Sequence, residues 1–162
     1  MSSLVNRRFA LKLAVAAGAG SIAAPVFAAK HGRTSMSDSV QSLCGRYYAA
    51  WQRKDLDAIL ACLDPDVVFI SPNASSRGRE AYAAATRRFL PLVTRVDLRG
   101  TFVAHGGAMA ALNFHCIEPI GISPVAELIG VKNGLIAEDQ IFFDPRPFEA
   151  FARAHAKRSN HP

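Results

Sequence analysis

The apolar periodicity of the chain changes for good at Pro91, and that change limits the folds open to it. Before Pro91, three stretches repeat at helical spacing; after it, the apolar residues alternate as they do in strands. The first stretch, Val40 to Arg53, places Val40, Leu43, Cys44, Tyr47, Tyr48 and Trp51 on one face, with Ser39 as a candidate cap. Lys54 and Asp55 open a second, short helix over Leu56 to Leu63, which Asp64-Pro65-Asp66 ends. Val67 to Ile70 reads as a strand stopped by Ser71-Pro72-Asn73. The third helix covers Gly78 to Leu90. Strands are then expected over Val93 to Val103, Met109 to Ile117, Pro124 to Lys132 and Leu135 to Phe143. Gly106-Gly107 turns one pair, and Asn133-Gly134 is a strong hairpin signal between the last two. Helices followed by antiparallel strands predict an α+β domain, with the helices packed on one face of a curved sheet.

The N-terminus carries a different message. Asn6-Arg7-Arg8-Phe9-Ala10-Leu11-Lys12 precedes a mild Ala/Gly run that exits through Val26-Phe27-Ala28. This resembles a bacterial twin-arginine signal, with Phe9 one place early and Ala10 where Phe is usual. A general secretory signal has the same layout and stays open. Either predicts cleavage of residues 1–28, a mature chain from Ala29 and a periplasmic or secreted address. The run is too short for a membrane anchor, so none is expected to persist after cleavage. Loss of Arg7, Arg8 and Lys12 lowers the formal charge from +6 to +3, ordinary for a soluble domain. No basic face interleaved with aromatics points to nucleic acid.

About 130 mature residues suffice for one modest core. Residues 29–39 read as a polar linker, 40–149 as the domain and 150–162 as a basic tail resembling a solvated helix end. Cys44, Cys62 and Cys116 are too few and scattered for a disulfide scaffold or a Cys-x-x-Cys zinc site. Cys44 and Cys62 could pair in an oxidising compartment, although buried thiols are the commoner fate. Neither a Gly-x-Gly-x-x-Gly run nor a phosphate loop is present, and no cofactor is expected.

Cys44-Gly-Arg-Tyr-Tyr-Ala-Ala-Trp-Gln-Arg-Lys-Asp-Leu-Asp-Ala-Ile, Leu63-Asp-Pro-Asp-Val-Val-Phe, Arg77-Gly-Arg-Glu, Asn133-Gly-Leu-Ile and Phe142-Phe-Asp-Pro together resemble the nuclear transport factor 2-like superfamily. Within it, the SnoaL-like and ketosteroid isomerase branch is nearest. The resemblance implies a cone-shaped α+β barrel: three N-terminal helices held in a highly curved, mostly antiparallel sheet around one apolar pocket. It also implies a homodimer through the open sheet face, to which Leu98, Phe102 and Ile117 could contribute.

In a ketosteroid isomerase, a tyrosine polarises the substrate oxygen, an aspartate moves the proton and a protonated aspartate assists the tyrosine. Alignment puts Tyr47 on the tyrosine, Glu127 on the protonated acid and Ser71 on the general base. A serine hydroxyl does not titrate near neutral pH, so steroid isomerisation by that mechanism is disfavoured. The same alignment turns Ala111 inward, and with it Asn113 and His115; it likewise turns Asp139, Ile141 and Phe143 inward. Tyr47, His115, Glu127 and Asp139 are therefore the catalytic candidates. Trp51, Phe69, Ser71, Phe89, Asn113 and Phe143 are the ligand-contact candidates. A slip of one residue would instead expose His115, and Asp139 competes with Glu138 and Gln140 for the solvent face. His115, Glu127 and Asp139 could hold a divalent ion only if three strands converge, and no metal is assigned.

These residues suit an isomerase, dehydratase or hydrolase working on a small hydrophobic molecule. The alternatives are a non-catalytic binder or carrier in the same cone, and a dimerisation module.

Overall fold

Residues 36–104 and 106–159 are described by a computed structural model. The expected leader, residues 1–28, and the linker up to residue 35 lie outside them. Helix α1 (Met36–Arg53) starts earlier than expected, so Ser39 lies within it and does not cap it. Val40, Leu43, Cys44, Tyr47, Tyr48 and Trp51 are all buried, as the spacing required. Asp55 caps α2 (Leu56–Ala61) by accepting a hydrogen bond from the Ala58 amide at 3.0 Å.

Strand β1 (Leu63–Ser71) is longer than expected because its ladder resumes after an irregularity between Leu63 and Val68, where Asp64-Pro65-Asp66 sits. A short strand, β2 (Ala74–Arg77), has no counterpart in the sequence reading; its Ser-rich, largely exposed residues carry no apolar alternation. Helix α3 (Arg79–Phe89) follows, and a 3₁₀ turn, Leu90–Leu92, holds Pro91. Strands β3 (Val93–Ala104), β4 (Gly107–Cys116), β5 (Ile122–Lys132) and β6 (Leu135–Phe142) complete the sheet. Asn133 and Gly134 both have positive φ, 52° and 77°, the conformation a two-residue turn needs to match the twist of its strands.

The six strands run in the order β2-β1-β6-β5-β4-β3. All neighbours are antiparallel except β1 and β6. The fold is therefore the expected α+β cone, but the sheet is not closed: β2 and β3 are its edges. Helix α4 (Arg146–Ser159) spans the boundary expected at 149/150, and Phe148 and Phe151 pack against the core from it. Tail residues 150–159 thus continue a helix whose first turns belong to the domain. Each large apolar side chain buried in that core contributes about 1.5–3 kcal/mol.

Strand β4 corrects the expected register. Ala108, Ala110, Leu112, Phe114 and Cys116 are buried, whereas Met109 and Ala111 are exposed and Asn113 and His115 are half-buried. Asn113 and His115 therefore face away from the cone, opposite the assignment made by aligning Ala111 inward. The apolar set has to face the helices, and a shift of one residue turns every side chain of the strand over. All three cysteines are buried and free, so Cys44 and Cys62 do not pair. Among the described residues no helix is long and apolar enough to cross a membrane.

Candidate active site

Tyr47 and Tyr48 follow one another on α1, and both point into the molecule because the helix is covered on two sides. Tyr82 joins them from α3. From the sheet, Glu127 on β5 pairs with Ile141, and Asp139 on β6 pairs with Ile129. Glu127 and Asp139 are therefore diagonal neighbours on the same face of adjacent strands, close enough to interact. Glu127 is 4% exposed and Asp139 1%.

The hydroxyls close over the acids. Tyr48 donates to Glu127 Oε2 at 2.8 Å. Tyr82 donates to Asp139 Oδ2 at 2.9 Å. Tyr47 Oη lies 3.1 Å from both Glu127 Oε1 and Asp139 Oδ2, and 2.8 Å from Tyr82 Oη. Three tyrosine protons serve five close contacts, and a proton on the carboxyl pair would supply a further donor.

The electrostatics favour such a proton on the pair and raise Glu127 in particular. Burial, and then the charge of Asp139, hold Glu127 well above the usual carboxylic-acid range. Burial also raises Asp139, but hydrogen bonds from Glu127, Tyr82 and Tyr47 oppose the rise. Burial above all keeps the three tyrosines protonated, reinforced by the neighbouring acids. Both acids are thus held above the usual carboxylic-acid range, Glu127 well above it, and the pair retains a proton where ordinary carboxyls have lost theirs. Two ionised carboxylates this close and this buried would repel without compensation.

A cavity of roughly 230 Å³ opens from this cluster. Tyr47, Tyr82, Glu127 and Asp139 stand at its polar end; Trp51, Phe69, Phe89, Phe114 and Phe143 are among its apolar walls. Trp51 meets Phe114 edge-on at a centroid distance of 5.4 Å, and Phe89 meets Phe114 at 5.1 Å, which stiffens the wall. Ser71 also lines the cavity, but its hydroxyl donates to the Ala74 carbonyl at 3.0 Å.

Of the catalytic candidates, Tyr47, Glu127 and Asp139 come together and His115 does not. His115 lies on the other face of the sheet, where its Nε2 is 2.7 Å from Asp97 Oδ2 and 2.9 Å from Arg95 Nη2. Among the ligand-contact candidates, Trp51, Phe69, Ser71, Phe89 and Phe143 line the cavity; Asn113, opposite Asp97 on the outer face, does not. With His115 turned away, the three-residue metal set does not form, and no other group of metal ligands occurs among the described residues. Sequence reasoning missed Tyr82, Thr86 and Phe148. The first two share the three-and-four spacing of one helical face with Phe89, which was a usable signal. Phe148 had none: it fell within the expected domain but beyond the last expected strand, in a stretch where no helix was expected.

Helices held against a curved, mostly antiparallel sheet match the nuclear transport factor 2-like cone fold. Residues 45–139 match the family model described as a SnoaL-like domain, and the chain belongs to that family. No curated protein matches it. Among solved structures, it is similar to a Xanthomonas campestris pv. campestris protein proposed to be a polyketide cyclase. That likeness has 24% identity, a TM-score of 0.58, and covers 72% of this chain and 98% of the other. A Mycobacterium tuberculosis protein described as an LEH-like epoxide hydrolase has 19% identity and a TM-score of 0.60, over 74% and 93% of the two chains. A Kribbella flavida protein proposed to be a ketosteroid isomerase has 14% identity and a TM-score of 0.61, over 67% and 79%. At these identities the likenesses establish the fold.

The raised acid predicts a pH effect on stability with a definite sign. The unfolded chain releases the Glu127 proton near its ordinary value of 4.5, whereas the folded chain keeps it to higher pH. Stability conferred by that proton is complete below 4.5 and is lost as pH rises toward the folded value, by up to ~1.4 kcal/mol per pH unit. Thermal melts at successive pH values should therefore show a decline above pH 5 that Glu127→Gln flattens. An unchanged slope in the variant would place the proton elsewhere.

Proposed function

We propose that this chain is an exported enzyme that moves protons on a small apolar substrate held in the cone. The observation carrying the proposal is the hydrogen-bonded pair of Glu127 and Asp139 at the inner end of the cavity. One member holds a proton and the other is a base, and the aromatic walls exclude water. Asp139 accepts a proton from the substrate or from a water molecule, and Glu127 returns one to the substrate, so the pair ends the cycle with the proton count it began with. Tyr47 bridges both acids, while Tyr48 and Tyr82 fix their orientation. This favours isomerisation, dehydration or hydrolysis, the reaction types to which the names of the similar structures also belong. Ser71 supplies no base near the mouth, so the chemistry is assigned to the inner end. A carrier role is the reading favoured by Ser71 alone.

The test is a panel of apolar ketones, epoxides and alcohols incubated with the protein in D₂O and followed by NMR for turnover and carbon-bound deuterium. Turnover reduced at least ~100-fold in Asp139→Asn, with binding retained, is the expected result. Binding without turnover throughout the panel would leave a carrier.

Export and dimerisation are part of the same proposal. The paired arginines and the small-residue exit at Ala28 support export. Support for a homodimer comes from the outer sheet face, where Phe102, Met109, Ile122, Leu128 and Phe142 are exposed, Phe102 by 70%. Of the residues expected there, Leu98 is partly exposed, whereas Ile117 packs against the core. Protein recovered from the periplasm or medium of an exporting host should begin at Ala29 and sediment as a dimer. A monomer retaining Met1 inside the cell would overturn both.

A further inference from the structure

Resting on the reading of the cone as a substrate site, we propose that the hydroxyls of Thr86 and Ser123 are specificity-determining. They form a second hydrogen-bonding station along the cavity wall, which selects an uncharged ligand carrying a polar group besides the one it presents to the acid pair. Thr86 is 5% exposed and Ser123 6%, and both line the cavity. Its other polar side chains are already engaged. Tyr47, Tyr82, Glu127 and Asp139 bond to one another, and Ser71 Oγ lies within hydrogen-bond reach of Asn73 Oδ1 and the Ala74 carbonyl. Thr86 Oγ1 and Ser123 Oγ bond to no group among the described residues, and each oxygen keeps accessible surface.

The fold brings these hydroxyls in from different layers. Strand β5 alternates, so Ser123, Val125 and Glu127 share its inner face. Four residues of strand set Ser123 ~13 Å from Glu127 along the sheet. On α3, Thr86 stands four residues from Tyr82 on the same face, ~6 Å along the helix axis. Phe114 links the two walls, since it pairs with Ser123 across the ladder and meets Phe89 of α3 edge-on. A ligand reaching outward from the acid pair therefore passes Thr86 on the helix side and Ser123 on the sheet side.

Packing needs neither oxygen. Valine has nearly the outline of threonine, and alanine fills most of the space of serine, whereas a hydroxyl enclosed by aromatic rings without a partner is a cost. A ligand group that bonds to Thr86 and Ser123 recovers it, and an analogue with a methyl in that place does not. No Lys, Arg or His is among the described residues lining the cavity, so the favoured group is uncharged: a hydroxyl, a carbonyl or an ether oxygen.

The probes are naphthalene-2,6-diol and 6-methyl-2-naphthol, which differ by a hydroxyl and a methyl of similar size. Each is titrated calorimetrically into the full chain and into its Thr86→Val/Ser123→Ala variant. The ratio of the two affinities should favour the diol ~10-fold more in the wild type than in the variant. Ser123→Ala alone, run beside it, carries the comparison if the double variant does not fold. Equal ratios in wild type and variant, as expected if the hydroxyls meet only water, would overturn the proposal, as would no binding of either probe. A shifted ratio in a protein that turns nothing over would remove the acid–base reading and leave this inference standing. Turnover lost in Asp139→Asn, with equal ratios in wild type and Thr86→Val/Ser123→Ala, would do the opposite.

Discussion

Glu127 and Asp139 stand as diagonal neighbours on the inner face of β5 and β6, buried together with three tyrosine hydroxyls closing over them, and burial raises both acids so that the pair favours holding a proton. Much of the structure follows from that arrangement. Helix α1 must present two consecutive tyrosines, α3 must bring Tyr82 within reach, and the tight Asn133-Gly134 turn must hold β5 and β6 in the register that aligns the acids. An error of one residue in that register would carry one carboxylate to solvent and leave the other unpaired. The cluster therefore specifies how the layers meet as well as what the cavity can do.

The two faces of the sheet divide the work. Inside, aromatic rings from α1, α3, β4 and α4 leave a small, mostly apolar space with the acid pair at its inner end. Outside, large apolar side chains remain exposed on β3, β4, β5 and β6, with the Arg95, Asp97 and His115 cluster as a polar border. The proposed function assigns acid–base chemistry to the first face and association to the second. The open edges at β2 and β3 leave the fold a cone with a mouth.

How much of this was legible in the sequence depended on the signal each element carried. Helix α1 was readable because six apolar residues repeat at helical spacing, and the β5–β6 hairpin because Asn-Gly needs left-handed backbone that few other pairs adopt. That turn, by fixing the register, also made Glu127 and Asp139 legible as inward residues. His115 and Asn113 were misplaced where the resemblance was followed in preference to the periodicity: Ala108, Ala110, Leu112, Phe114 and Cys116 alternate as an unbroken apolar set, and packing followed that set. Strand β2 was illegible because its residues are polar on both faces, and it is held by backbone pairing with β1. The tyrosine cage lay beyond sequence reasoning as a unit, since its members are separated by up to 92 residues and only the folded chain joins them.

The central claim is that one proton is held on Glu127 beside an ionised Asp139. It is tested most directly by a carbon-13 NMR titration of the two side-chain carboxyls in the selectively labelled protein. The account predicts that Glu127 stays protonated at pH 7 and that the signals of the two acids move together. Independent ionisation of both near pH 4, as for ordinary exposed carboxylates, would contradict it.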